Sequence, residues 1–586
     1  MNQIEKIRHS LSHIMAQAVL DLYPKTKLGM GPAIENGFYY DLDFKFPRRL
    51  TSGKLTSEDL QKIEDDMRKL ILQNQKFIKE NIAKLAAKKL FKDQPYKLEL
   101  IKELPGKTVS IYQNGDFTDL CKGPHIKNTS EINPKAFKLT KIAGAYWRGN
   151  EKNKMLTRIY GLVFETEKEL QDYIKMQEEA EKRDHRILGE KLDLFIFSDI
   201  VGKGLPLFTE KGATIRRELE KLAVEEEIKR GYKHVITPDL AKIDLYKKSG
   251  HYPYYKDTMY PVMKIDEEEL ILRPMTCPHH YQLYLTKPRS YRDLPYRIAE
   301  IAKQFRYEKS GELTGLVRVR SFCLADAHIM VQPEGVENEM NNVLDLIEHM
   351  AKIFGLKPSV DYRYRLSLGD RKDTKKYYKD DKTWTFAENV LRKVLKERSA
   401  PFFEAKNEAA FYGPKIDIQM KDILGKENTA FTVQYDFVGP KRFNLTYIDR
   451  DSKEKEAVVI HRSSIGCVER IMAFLIEKYA GAFPLWLSPI QVAVIPISKK
   501  HINYGNEIKK ELEENNIRAE LKSENETLGK KIREAEMQKI PYLLIVGDKE
   551  VEVKTVSVRQ RGEGDKGATK LDELINKIGK EIKNKK

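Results

Sequence analysis

Two groups of residues have the types and spacings that chemistry needs. The first pairs His9-Ser-Leu-Ser-His13 with Cys121-Lys-Gly-Pro-His125. Histidines four apart on a helix share one face. Three imidazoles and a thiol suit a tetrahedral zinc ion. They equally suit a metal-free hydrolytic pocket whose polar groups bind and orient water. The residues alone leave both readings open. The second group runs from Gln304-Phe-Arg306-Tyr-Glu308 through Arg318-Val-Arg320 to Asp326-Ala-His328, and ends in His461 and Glu469-Arg470. An Arg-x-Glu pair can hold a nucleoside triphosphate, with the guanidinium on phosphate oxygens and the carboxylate on a base amine or a metal. A second arginine can clamp the far phosphate. A lone Arg-x-Glu would be an ordinary surface ion pair.

The elements around these residues read as α+β. Residues 5–24 place Ile7, Leu11, Ile14, Ala18 and Leu22 at helical spacing. Residues 37–44 alternate like a strand, and 57–90 have helical spacing throughout. Residues 165–192 predict one charged helix, a connector between domains. In 193–485, runs such as YRLSL, PKIDIQM, FTVQYDF and FNLTYI alternate polar and apolar residues, predicting an antiparallel sheet with one face used for binding. After residue 490 strand and helix runs alternate, which predicts a small α/β domain.

The length of 586 residues implies about four domains. Hydrophobic residues at 41% exclude a disordered chain, and a net charge of +17 favours a polyanionic partner such as nucleic acid. The four cysteines (121, 277, 323 and 467) form no CxxC pair and no disulfide framework, so a reducing, cytoplasmic setting is expected. No apolar run predicts a secretory signal or a membrane span.

Three pieces then combine. Arg306-x-Glu308, Gly466-x-x-Glu469-Arg470, and Gly212 leading into a helix with Pro238 on the next strand resemble the three signature motifs of class II aminoacyl-tRNA synthetases. The chain as a whole is similar to the threonyl-tRNA synthetase family, bacterial type. That resemblance implies an editing domain at 1–162, a helical linker at 163–192, a catalytic domain at 193–487 and an anticodon-binding domain at 488–586. It implies one zinc per chain on Cys277, His328 and His461, and magnesium with ATP. Arg306, Arg470, Glu308 and Lys415 become catalytic. Asp326, Tyr412, Gln434 and Arg318 become substrate-binding. The editing pocket becomes His9, His13, Cys121 and His125 with Lys97 and Asp119, and the family's pocket works without metal. Asn525, Arg533, Glu550 and Arg559 match anticodon-contacting positions. His279 and His280 read as packing or as support for the zinc ligands.

The implied activity is to activate L-threonine with ATP, transfer it to tRNA(Thr), and hydrolyse mischarged seryl-tRNA, as a homodimer. A catalytically silent tRNA-binding relative and a stand-alone editing factor are the alternatives; the presence of both Arg306 and Arg470 speaks against them. Leu324-Ala325 stand where many members carry Gln-Asp. Thr429 and Cys467 stand where Gln and Ser are common. These departures are expected to line the catalytic pocket. The small ubiquitin-like domain that begins many bacterial members is expected to be missing, because the editing motif starts at residue 9.

Overall fold

The structure, a computed structural model, describes residues 2–45 and 55–585. The chain divides into two compact units, Met1–Glu178 and Glu179–Lys586.

In the first unit the expected N-terminal helix is Gln3–Leu22. Asn2 accepts from the Glu5 N–H, and the Glu5 carboxylate accepts from the Asn2 N–H, so two otherwise orphaned donors are satisfied. Leu11, Ile14, Met15 and Val19 are buried in a core shared with Phe38, Tyr40, Phe137 and Ile159. The last four lie on the antiparallel strands Gly37–Asp43, Phe137–Tyr146 and Met155–Val163. The helical reading of 57–90 needs correction. A helix spans Ser57–Leu72, Asn74 takes a left-handed φ of 55°, and Phe77–Ala83 is a strand paired with Thr108–Asn114. Helix resumes only at Lys84–Leu90. Phe77–Ala83 is an edge strand of its three-stranded sheet. Edge strands carry charge against mispairing, and that charge gave the segment a helix-like composition.

The single connector helix also needs correction. Glu167–Arg183 ends, Asp184 adopts φ −51° and ψ 122°, and its carboxylate caps a second helix, His185–Lys191.

The second unit is built on an eight-stranded sheet. Its order is Lys233–His234, Tyr296–Phe305, Ser321–Val331, Val458–Cys467, Glu427–Asp436, Lys415–Lys421, Tyr362–Leu368 and Phe402–Lys406. Only the two outermost pairings are parallel. Two further expectations are corrected. In FNLTYI only Thr446–Ile448 is a strand, paired outside the main sheet, because Gly439–Phe443 is a short helix that ends at Asn444 with φ 57°. Pro238 lies four residues past the short Lys233–His234 strand, outside any strand; proline has no N–H for a ladder. Gly212 lies in the first turn of the helix Glu210–Lys229, where Thr209 caps its N–H.

The central strand Ser321–Val331 shows how sequence sets function here. Cys323, Ala325, Ala327, Ile329 and Val331 join the buried core that includes Met340, Leu344 and Ile347 of the helix Val336–Ile353. The alternate residues Leu324, Asp326 and His328 face a cavity instead. Small alanines on the core side let the helix lie close.

The C-terminal region has the order Ala519–Leu521, Val492–Pro496, Tyr542–Val546, Thr555–Gln560, Gly564–Lys570. The first three strands are parallel and the last two antiparallel. Among the described residues no helix is long and apolar enough to cross a membrane.

Candidate active site

A cavity of about 230 Å³ opens on the central sheet. Cys277 enters from the start of the helix Cys277–Tyr284, His328 from Ser321–Val331 and His461 from Val458–Cys467. His328 and His461 are register partners on neighbouring strands. The donor atoms of the three residues lie within 4.8 Å of one another.

Hydrogen bonds fix which imidazole nitrogens are free. The His461 Nε2–H donates to Asp436 Oδ2 at 2.8 Å, which leaves Nδ1 bare. The Asp436 carboxylate also accepts from Tyr281 OH and from the Val438 and Gly439 N–H groups. Despite its burial these bonds, with His461, hold its pKa below the usual carboxylate range. His280 Nε2 meets Glu300 at 3.3 Å and His280 Nδ1 meets His328 Nδ1 at 2.8 Å. A carboxylate only accepts, so His280 donates through Nε2 and, in the tautomer with one ring proton, accepts at Nδ1. His328 therefore donates from Nδ1 and keeps Nε2 bare. Burial pushes the Cys277 thiol well up and the His328 imidazole well down from their ordinary values. This site favours neutral donors until a cation arrives.

The cationic side of the same cavity holds Arg306 and Arg470. Burial, with Arg470 nearby, pushes the Arg306 pKa down, while Glu308 opposes the shift. Arg306 is held by Gln304 Oε1 at 3.2 Å and by the Pro274 carbonyl at 3.4 Å, over the ring of Phe322. Arg470 Nε donates to the Val317 carbonyl at 3.0 Å and Nη1 to the Thr429 carbonyl at 2.8 Å. Gly466, with φ 70°, lets the chain turn here; a Cβ there would lie 2.1 Å from the Ala430 carbonyl oxygen. Glu308 is paired with Arg318 at 2.7 Å. Tyr412 donates to Gln434 Oε1 at 2.6 Å and stacks on His461. Asp326 lines the cavity, and burial pushes its pKa up.

Lys415 is not among the cavity-lining residues; it lies opposite Gln434 in register and pairs with buried Asp417 at 3.0 Å. Of the sequence departures, Leu324, Thr429 and Cys467 do line the cavity. Ala325 does not: strand alternation turns it into the core. Sequence reasoning left Asp436 and Thr276 without a role, and gave His280 and Gln304 no specific partner. Asp436 stands two residues after Gln434, so the same strand alternation could have flagged it.

The first unit holds a second cluster. The donor atoms of His9, His13, Cys121 and His125 also lie within 4.8 Å. Cys121 Sγ is 3.3 Å from His9 Nε2 and 3.2 Å from His125 Nε2. Ser10 Oγ donates to the Lys6 carbonyl, so His125 Nδ1–H donates to Ser10 and its Nε2 is bare. The His9 Nδ1–H donates to the Pro124 carbonyl, which bares its Nε2 also. Burial lifts the Cys121 thiol to about 11 and pushes His13 and His125 far down. The buried His13 Nδ1 has no hydrogen-bond partner. Two bare imidazole nitrogens, a neutral thiol and an unsatisfied ring nitrogen can bind and orient a polar substrate or water. Beside them, at the end of the strand that leads to Cys121, Asp119 meets Lys97 at 2.5 Å; Tyr40 donates to Asp119 and accepts from Lys97. Sequence reasoning named Lys97 and Asp119 but not Tyr40 or Ser10.

The four C-terminal candidates are dispersed. Asn525 lines a cavity of about 410 Å³ with Lys499, Lys500 and Lys531, and Arg533 is exposed on the helix Leu528–Met537. Glu550 accepts from the Gly547 N–H at 2.9 Å, so part of its carboxylate is committed to a helix cap. Arg559, on Thr555–Gln560, lies 3.8 Å from Glu536.

A mainly antiparallel sheet, with two arginines from the elements beside it converging on one cavity, is the arrangement of a class II aminoacyl-tRNA synthetase. The family described as "tRNA synthetase class II core domain (G, H, P, S and T)" matches residues 260–479, "Anticodon binding domain" matches 491–581, and "Threonyl and Alanyl tRNA synthetase second additional domain" matches 109–160. The threonine–tRNA ligase of Anoxybacillus flavithermus is 49% identical over 584 residues, 99% of this chain and 89% of that one. The RNA binding domain of threonyl-tRNA synthetase from Cryptosporidium parvum superposes with a TM-score of 0.64 at 35% identity, covering 68% of this chain and 98% of that one. Prolyl-tRNA synthetase from the same organism shares the fold at 17% identity and a TM-score of 0.51, over 68% of this chain and 75% of that one. The chain belongs to the threonine–tRNA ligases.

Proposed function

We propose that this chain activates threonine with ATP, transfers it to tRNA(Thr), and hydrolyses seryl-tRNA(Thr) made in error. The observation that carries the reading is that Cys277, His328 and His461 open into the cavity that also holds Arg306 and Arg470. One thiol and two bare imidazole nitrogens fit zinc and leave a fourth position open. Cys277, His328 and His461 would hold one zinc per chain, which would supply Lewis acidity toward the amino acid's polar groups. Asp326 accepts the hydroxyl's hydrogen bond, and Tyr412 and Gln434 close the pocket around the side chain.

Arg306 holds the α-phosphate while the threonine carboxylate attacks it and pyrophosphate leaves. Arg470 and Arg318 hold the outer phosphates, Glu308 the adenine side, and Lys415 supports the wall through Asp417. Magnesium would enter with ATP and would offset the charge of its phosphates. The chemistry is positioning and charge neutralisation.

Specificity then follows from size and polarity. Valine lacks the hydroxyl, and a site built around one rejects the analogue by ~10⁴ or more. Serine lacks only a methyl, worth about 1–3 kcal/mol. A second, hydrolytic site is needed, and the His9/His13/Cys121/His125 pocket supplies it. Water held by the bare imidazole nitrogens adds to the seryl ester carbonyl, and the terminal ribose oxygen leaves with a proton. Lys97 and Asp119 order the wall behind Cys121.

We divide the chain at 1–162, 163–192, 193–487 and 488–586; the segments matched at 109–160, 260–479 and 491–581 support the three larger parts of that reading. The net charge of +17 suits tRNA, with Asn525, Arg533, Glu550 and Arg559 at the anticodon. Ile200 and Ile236 are 99% and 96% exposed beside the first class signature, an arrangement a second copy would cover in a homodimer. Four free cysteines suit the cytoplasm.

The test is amino-acid-dependent exchange of pyrophosphate into ATP. Threonine should drive it. Exchange driven by no amino acid would leave a tRNA-binding relative or a stand-alone deacylase.

A further inference from the structure

A buried histidine outside both clusters ties three parts of the second unit together. His185 opens the helix His185–Lys191 and is 3% exposed. The Leu316 N–H donates to its Nε2 at 3.1 Å, so that nitrogen carries no proton. Nδ1–H therefore donates to Glu477 Oε1, at 2.6 Å. Both ring nitrogens are committed, which removes His185 as a free metal donor despite Asp184 and Glu477 nearby.

The partners give the contact its meaning. Leu316 lies in a tight hairpin where Thr314 and Arg318 bridge, and Val317 and Arg318 line the cavity that holds Arg306 and Arg470. Glu477 lies two helical turns after Arg470 on Val468–Tyr479, so both point to one side of that helix. Arg470 holds the Val317 carbonyl directly, while Glu477 holds the Leu316 N–H through His185. Consecutive residues of the hairpin are thus strapped to one helix. Gly315 (φ 46°) makes room: a Cβ there would lie 2.1 Å from His185 Nε2.

We propose that His185 is a positioning residue for ATP: it fixes the Thr314–Arg318 hairpin against the helix that carries Arg470. The inference rests on placing the ATP phosphates at Arg306 and Arg470. It also makes the connector segment a structural part of the catalytic pocket.

Threonine-dependent pyrophosphate exchange tests it in the full chain, with His185→Ala, His185→Gln and Arg306→Ala compared. His185→Ala should raise KM for ATP ~10-fold or more. KM for threonine should stay within about twofold, with zinc content unchanged. His185→Gln should recover most of the loss, because its amide oxygen can accept from Leu316 while its nitrogen donates to Glu477. Unchanged KM for ATP, or equal rises for both substrates with no recovery by Gln, would overturn the proposal. Should His185→Ala not fold, Gly315→Ala carries the test; it should raise KM for ATP selectively, and an unaltered value would count against the strap. Full exchange by Arg306→Ala would instead strike the underlying ATP assignment.

Discussion

His328 and His461 stand opposite each other on neighbouring antiparallel strands, with ring centroids 4.6 Å apart. Each donates its outer N–H away from the other: His461 to Asp436, and His328 to His280, itself oriented by Glu300. Two carboxylates thus set the tautomers of two donors.

Asp436→Asn should weaken zinc binding about 10–100-fold, as loss of an outer-sphere partner commonly does. An asparagine can turn its amide toward His461 and offer a donor where an acceptor is needed. Chelator competition measures the change. Affinity equal to wild type would mean that the tautomer is held by something else.

The editing pocket should be separable from activation. His13→Ala or Cys121→Ala should leave threonine activation intact while seryl-tRNA accumulates, read by deacylation of preformed seryl-tRNA. Undiminished deacylation in both variants would remove these residues from the role.

Acid should loosen the first unit. Burial holds His9, His13 and His125 below their ordinary values. The unfolded chain therefore binds more protons once pH falls below ~6.5, and stability declines from there downward. Denaturant midpoints between pH 8 and pH 5 measure this. His13→Asn should flatten the decline, and an equal slope in that variant would contradict the assignment.

Breaking the Lys97–Asp119 pair should be costly, because one buried charge is stranded. Lys97→Met should destabilise the first unit by about 3–5 kcal/mol, measured by chemical denaturation. A loss below ~1 kcal/mol would place the pair in a solvent-like setting.

Much of this was legible in the sequence, for physical reasons. His9 and His13 sit at one helical spacing and Asp326 and His328 at one strand spacing, so local geometry alone places each pair on one face. Arg306 and Arg470 were candidates by residue type, Cys277, His328 and His461 came from the family resemblance, and one cavity brings all five together. What was not legible depends on tertiary partners. Phe77–Ala83 looks helical until its edge position is known. Ala325 looks like a pocket residue until strand alternation is fixed by the helix behind it. Tyr40 and Ser10 become informative only when their hydrogen-bond partners, distant in the chain, arrive.

Recognition of threonine's hydroxyl by a metal underlies both activation and the need for proofreading. One preparation should be analysed for zinc and for threonine-over-valine preference in pyrophosphate exchange, alongside Cys277→Ser. One zinc per chain is expected, lost in Cys277→Ser together with threonine activation. A zinc-free preparation that still activates threonine with full preference over valine would contradict it.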